Sequence, residues 1–195
     1  MHRLYHFTMT TPAIILGILF VLCLTSSVVS RSVGLVRADD KPLQKVWIPL
    51  TFGLSQGIMA LWGSGLSRLM AHLFAYIAQY VVFAMMLVVA VKLFVDSIRI
   101  LKGKMMYTVS SDRDIVLLTT IASVNTFLYG LVSEFYMPFG KWFFGAVTVA
   151  GFLWAFFTVR IEFAPGILKR VSFVEFAASV FMVVIAVLYL FTDLI

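Results

Sequence analysis

Apolar residues along the chain come in six runs, each long enough to be a membrane-crossing helix, and the polar residues collect between them. A helix that spans the hydrocarbon of a bilayer needs about 20 mostly apolar residues. The runs are Pro12–Leu35, Trp47–Leu69, Leu73–Ile98, Ile115–Tyr136, Trp142–Val159 and Ser172–Leu194. The connectors are short and charged, and none could hold a soluble domain. The pattern predicts an all-α membrane protein of six transmembrane helices, with residues 1–195 forming a single domain.

Comparing the chain with itself adds a second layer. Ser27-Val28 and Gly34-Leu35-Val36 in the first run recur as Ser123-Val124 and Gly130-Leu131-Val132 in the fourth, at an offset of 96. Phe52-Gly53 and Leu61-Trp62 recur as Phe144-Gly145 and Leu153-Trp154, at an offset of 92. Met85, Leu93, Phe94, Asp96 and Ile98 recur as Met182, Leu190, Phe191, Asp193 and Ile195, at an offset of 97. Two repeats follow, about 12–98 and about 115–195. Each has an odd number of helices, so the second must enter from the opposite face. Inverted repeats of this kind characterise secondary transporters, with the substrate site at the repeat interface near the midplane. A scaffold that had lost activity would keep the same symmetry.

Composition fits a lipid surround. Hydrophobic residues make up 62% of the chain and charged residues 12%, whereas a soluble domain carries about 25% charged residues. The net charge of +6 is accounted for by connector placement rather than by nucleic acid. Arg31, near the end of the first run, and Arg37, Lys41, Lys45, Arg99, Lys102, Lys104, Arg113, Arg160, Lys169 and Arg170, after the first, third and fifth runs, are 11 of the 15 basic residues. The positive-inside rule then puts both termini outside the cytoplasm of a cell (inner) membrane. Positive charge follows the first run more strongly than it precedes it, so residues 1–30 read as a spanning helix rather than a cleaved signal peptide. The lone Cys23 excludes a disulfide framework. His2 and His6 lie four apart with no further ligand between them.

Polar groups inside the runs are the candidate functional positions, because hydrocarbon penalises each of them unless it is paired or liganded. Asn125 and Gln56 lie mid-helix, where each could contact a cation or hydrogen-bond a neighbouring helix. Lys92 and Asp96, four apart, share a helix face and could pair, although Lys92 could equally snorkel at a cytoplasmic end. Asp96 and its repeat partner Asp193 could serve two entrances of one pathway. Glu134 and Glu175 read as interfacial. Thr119, Thr120, Ser123 and Thr126 could bond back to their own helix. Gly53, Gly57, Gly63 and Gly65 give the second run a thin face for close packing. Trp47, Trp142, Tyr76 and Tyr136 fit an aromatic belt. No nucleotide-binding glycine loop, nucleophile–base set or paired catalytic carboxylates appear, and no resident cofactor is implied, so the chain is not read as an enzyme.

The segment Phe52-Gly-Leu-Ser-Gln-Gly-Ile-Met-Ala-Leu-Trp-Gly, the segment Ala122-Ser-Val-Asn-Thr-Phe-Leu-Tyr-Gly-Leu, the Lys92–Asp96 pair and Asp193 together resemble the MntP family of manganese efflux pumps, within the LysE-type exporter group. The resemblance extends from about Ile15 to Ile195. It implies gradient-driven export of a divalent cation, Mn²⁺, with Asn125 and Gln56 as midplane metal contacts. Ser27, Ser30 and Thr126 would sit beside them, and Asp96 and Asp193 at the entrances. The chain departs from the family pattern at two intramembrane Asp positions, which here are Val29 and Asn125. Divalent cations favour anionic oxygens, so this departure leaves export of another small solute, or a non-transporting membrane partner, as the alternatives.

Overall fold

A computed structural model describes residues 11–33, 35, 42–103, 112–136, 140–161 and 166–191. His2, His6, Asp193 and the connector residues Arg37, Lys41 and Lys104 lie outside them. The described residues are helical and contain no strand. Helices α1 (Thr11–Thr25) and α2 (Ser27–Ser32) form one interrupted column. Helix α3 (Pro42–Phe74) is joined to α4 (Ala78–Leu101) by a single 3₁₀ turn, Ala75–Ile77. Helices α5 (Asp112–Ala122) and α6 (Val124–Gly130) form a second interrupted column, followed by α7 (Phe143–Thr158) and α8 (Ile167–Phe191).

Local sequence accounts for several boundaries. Pro42 opens α3 at the first helical position, where a missing N–H costs nothing. Gly103, at φ +66°, closes α4 with its N–H on Ile100 O at 2.9 Å, a left-handed ending that glycine adopts without strain. Pro49 sits inside α3, as membrane helices tolerate where neighbours re-satisfy the backbone.

Contacts between columns fix their directions. Helices α4 and α8 are antiparallel: Gln79 donates to Leu190 O, Ser179 donates to Ala90 O, and the Ser97 and Ser172 hydroxyls meet at 3.0 Å. Helices α3 and α7 are also antiparallel, with Gly53 against Phe152 and Gly57 against Thr148. Helix α3 runs parallel to the α5–α6 column, with Gln56 on Ala122 O and Gly63 against Gly130. Ile48, near the start of α3, clusters with Val28 of α2, and Asp96, near the end of α4, meets Arg31 of α2. The two helices therefore leave and return to the same end of the bundle, a hairpin turned by Ala75–Ile77.

The distribution of polarity is that of a protein in lipid. Trp62, Leu69, Phe157, Phe173 and Phe191 point outward, while Arg31, Gln56, Asp96, Asn125 and Glu175 are buried. Three spans are long and apolar enough to cross a membrane: Ile14–Ser32, Val46–Leu101 and Ile167–Phe191. The bundle is thus a multi-pass membrane protein. Its main core joins Phe20, Met86, Tyr129, Phe143 and Met182 from five different columns.

The six expected runs coincide with the helices to within a few residues, with two differences. Leu73–Ile77, expected inside the third helix, forms the end of α3 and the turn. The first and fourth runs, expected as continuous helices, are each broken, at Ser26 and at Ser123.

Candidate functional site

The two interruptions lie 97 residues apart in sequence and touch in space. Breaking a helix in lipid frees backbone carbonyls, and each must find a donor. Side chains from other columns supply them. Ala122 O, at the end of α5, accepts from the Ser27 hydroxyl at 2.7 Å and from Gln56 Nε2 at 3.2 Å. Leu22 O, in the last turn of α1, accepts from Trp154 Nε1 at 3.2 Å. The break in the first column is thus served by α7 and the break in the fourth by α3. Ser55 and Ser123 hydroxyls meet at 2.9 Å beside the second break. Thr119, Thr120, Ser123 and Thr126 do bond back to carbonyls of their own column.

Orphaned polar atoms gather at this crossing. Gln56 spends its amide nitrogen on Ala122, and its Oε1 has no partner. Asn125, one residue into α6, is fully buried, and neither Oδ1 nor Nδ2 has a partner. Buried amide groups almost always find partners, so unused acceptors here are available to a ligand or to water. Thr126 is buried next to Asn125, and Ser30 lies one turn beyond Ser27. Five of the sequence candidates, Gln56, Asn125, Thr126, Ser27 and Ser30, therefore sit on the elements that meet at the interruptions.

One turn further along α2 the bundle carries buried charge. Arg31, expected in a connector, is inside, with its side chain 2% exposed. Its Nη2 lies 3.1 Å from Asp96 Oδ2, and Lys92 Nζ reaches the same oxygen at 3.3 Å. Asp96, expected at an entrance, is instead buried, because the guanidinium compensates its charge. Of the two readings open for Lys92, the pair with Asp96 forms, its side chain staying 25% exposed. Glu175, expected at an interface, is fully buried at the α8 face of the same cluster, with Ser30, Arg31, Asp96 and Lys92 around it. Hydroxyls of Ser97 and Ser172, and of Ser32 and Thr158, close the end below. Glu134 does lie toward the surface, paired with Arg68 at 2.7 Å.

The signal for Arg31 and Glu175 was present in sequence only as charge inside or beside an apolar run. No group of three or more His, Cys, Asp or Glu side chains that could hold a metal forms among the described residues. A cation at the crossing would meet neutral oxygens from Gln56 and Asn125.

A family model described as "Putative manganese efflux pump" matches residues 39–160, more than half of the chain. The chain belongs to the MntP family. Curated proteins and solved structures yielded no match. The matched stretch includes Gln56, Asp96 and Asn125, and so covers the MntP-like part of the crossing; Arg31 and Glu175 lie outside it. A transporter family of this kind is not an enzyme class.

Proposed function

We propose that this protein is a secondary exporter of a small divalent cation, Mn²⁺ by the description of its family, and that two oppositely oriented three-helix repeats enclose its pathway. The observation that carries the reading is the pair of helix interruptions at Ser26 and Ser123, which fall within one residue of each other in the proposed repeat register and meet in the interior. Interrupted helices at matching positions of inverted halves are where transporters build midplane sites. The exchange of donors, Trp154 of α7 to one break and Gln56 of α3 to the other, follows the same two-fold logic. Gln56 and Asn125 contact the cation, Ser27, Ser30 and Thr126 line the way, and Asp193 serves one end. The protein lies in the cell (inner) membrane with both termini outside the cytoplasm.

The test is cellular manganese content and Mn²⁺ sensitivity in a strain lacking its own exporter. The strain carries an empty vector, this protein, or its Val29→Asp/Asn125→Asp variant. Rescue and a lower manganese content with the unaltered protein are the expected result. Rescue by the double variant alone would mean that the neutral site no longer carries Mn²⁺. The lack of an acidic or histidine cluster among the described residues favours, in that event, export of a less charged solute through the same fold.

A further inference from the structure

Glu175 is the least explained group in the bundle. It is fully buried on α8, and neither carboxyl oxygen has a hydrogen-bond partner. An isolated carboxylate in such a place costs several kcal/mol unless a proton or a cation neutralises it. The surrounding groups decide between the two.

A divalent cation is disfavoured by charge. Arg31 and Lys92 already share the single carboxylate of Asp96. An ionised Glu175 would bring this cluster to neutrality, and a metal ion added there would leave a double positive charge with no anion to meet it. A proton fits better, because it removes the charge of a buried carboxyl that has no hydrogen-bond partner. The Ser30 hydroxyl beside Glu175 gives its one hydrogen to Ser27 O at 3.2 Å. It also faces Arg31 Nη1 at 3.4 Å as an acceptor. Arg31, whose Nε has no partner, stands between Asp96 and Glu175 as a counter-charge available to either.

We propose that the Glu175 carboxyl is an exchangeable proton site of this protein. It is held as the acid while Arg31 is engaged by Asp96. When its O–H bond breaks, the proton leaves to water and the carboxylate is met by Arg31. The site communicates with the crossing through one turn of α2, where Ser30 bonds Ser27 O and the Ser27 hydroxyl bonds the Ala122 carbonyl that also holds Gln56. A proton on Glu175 leaves the cluster with a net positive charge, so proton uptake and cation occupancy oppose each other, as exchange transport requires. This coupling rests on the transport reading above; the proton site itself does not.

The experiment is infrared difference spectroscopy of the full-length protein in lipid nanodiscs, titrated through the neutral pH range. The unaltered protein should show a neutral-carboxyl C=O band that exchanges in D₂O, fades as pH rises, and is lost in Glu175→Gln. In Ser30→Ala, which removes the neighbouring hydroxyl, the band should persist and shift in frequency; this arm serves if Glu175→Gln does not fold. No difference between the unaltered protein and Glu175→Gln, or a band unmoved by both D₂O and Ser30→Ala, overturns the proposal. Mn²⁺ is then added. A band that fades with Mn²⁺ supports both the site and its coupling. A Glu175 band insensitive to Mn²⁺ leaves the proton site standing and counts against manganese as the cargo.

Discussion

Arg31 and Asp96 form a contact between residues 65 positions apart, and each offsets the other's charge in the interior, with Lys92 on the same carboxylate oxygen. Removing one partner of a buried ion pair leaves an uncompensated charge, at a cost of about 3–5 kcal/mol, whereas replacing both with apolar residues can be neutral. Asp96→Ala should therefore lower unfolding stability by about 3 kcal/mol, measured by denaturant titration in detergent. Arg31→Leu/Asp96→Leu should recover part of that loss, because Lys92 still loses its carboxylate. Equal midpoints for Asp96→Ala and the unaltered protein would contradict the pairing. At this scale the sequence displayed some groups and hid others. Gln56 and Asn125 were visible as amides in apolar runs. Arg31 and Glu175 were not, because a charge near the edge of a run looks interfacial until its partner on another helix is known. Lys92 and Asp96 were legible as a pair because a helix dictates that contact locally.

Helix positions were written in hydropathy, and helix interruptions were not. A serine in an apolar run is compatible with a continuous helix, so Ser26 and Ser123 carry no visible break signal. The break exists because Trp154, Ser27 and Gln56, on other columns, offer donors to the freed carbonyls. Trp154→Phe keeps the ring and deletes the donor to Leu22 O. It should cost about 1 kcal/mol, read as a lower midpoint in thermal unfolding. The glycines of α3 were legible as a thin face, but only three of the four use it. A Cβ on Gly63 would lie 2.8 Å from Gly130 Cα, while one on Gly65 would meet nothing within 4 Å. Gly63→Ala should destabilise by about 1–3 kcal/mol through overpacking. Gly65→Ala should fall within about 0.5 kcal/mol of the unaltered protein. Matching losses at the two positions would argue against the α3–α6 packing.

For the whole molecule, the run lengths suggested several membrane crossings and the placement of Lys and Arg an orientation that labelling can test. Tyr76, 99% exposed at the α3–α4 turn, lies at the opposite end of the bundle from Lys102. In a Cys23→Ser background, Tyr76→Cys should react with a membrane-impermeant thiol reagent in intact cells. Lys102→Cys should react only after permeabilisation. The reverse pattern would invert the orientation expected from the positive-inside rule. The pairing of columns could not be taken from the sequence. Helix α4 meets α8 through small hydroxyls such as Ser97 and Ser172, which hydropathy counts as neither apolar nor charged.

The length of α3 makes membrane thickness a variable of this protein. Its 33 residues extend about 50 Å at about 1.5 Å per residue, against about 30 Å of hydrocarbon and about 40–45 Å with headgroups. Leu69 and Leu73, apolar and exposed near its end, need cover that a thin bilayer supplies only if the helix tilts. Tilting α3 drags Gln56 and Gly63 with it, and so shifts the floor beneath the second helix break. Acyl-chain length thus becomes a mechanical input, and lipid composition can set how tightly the interior is clasped.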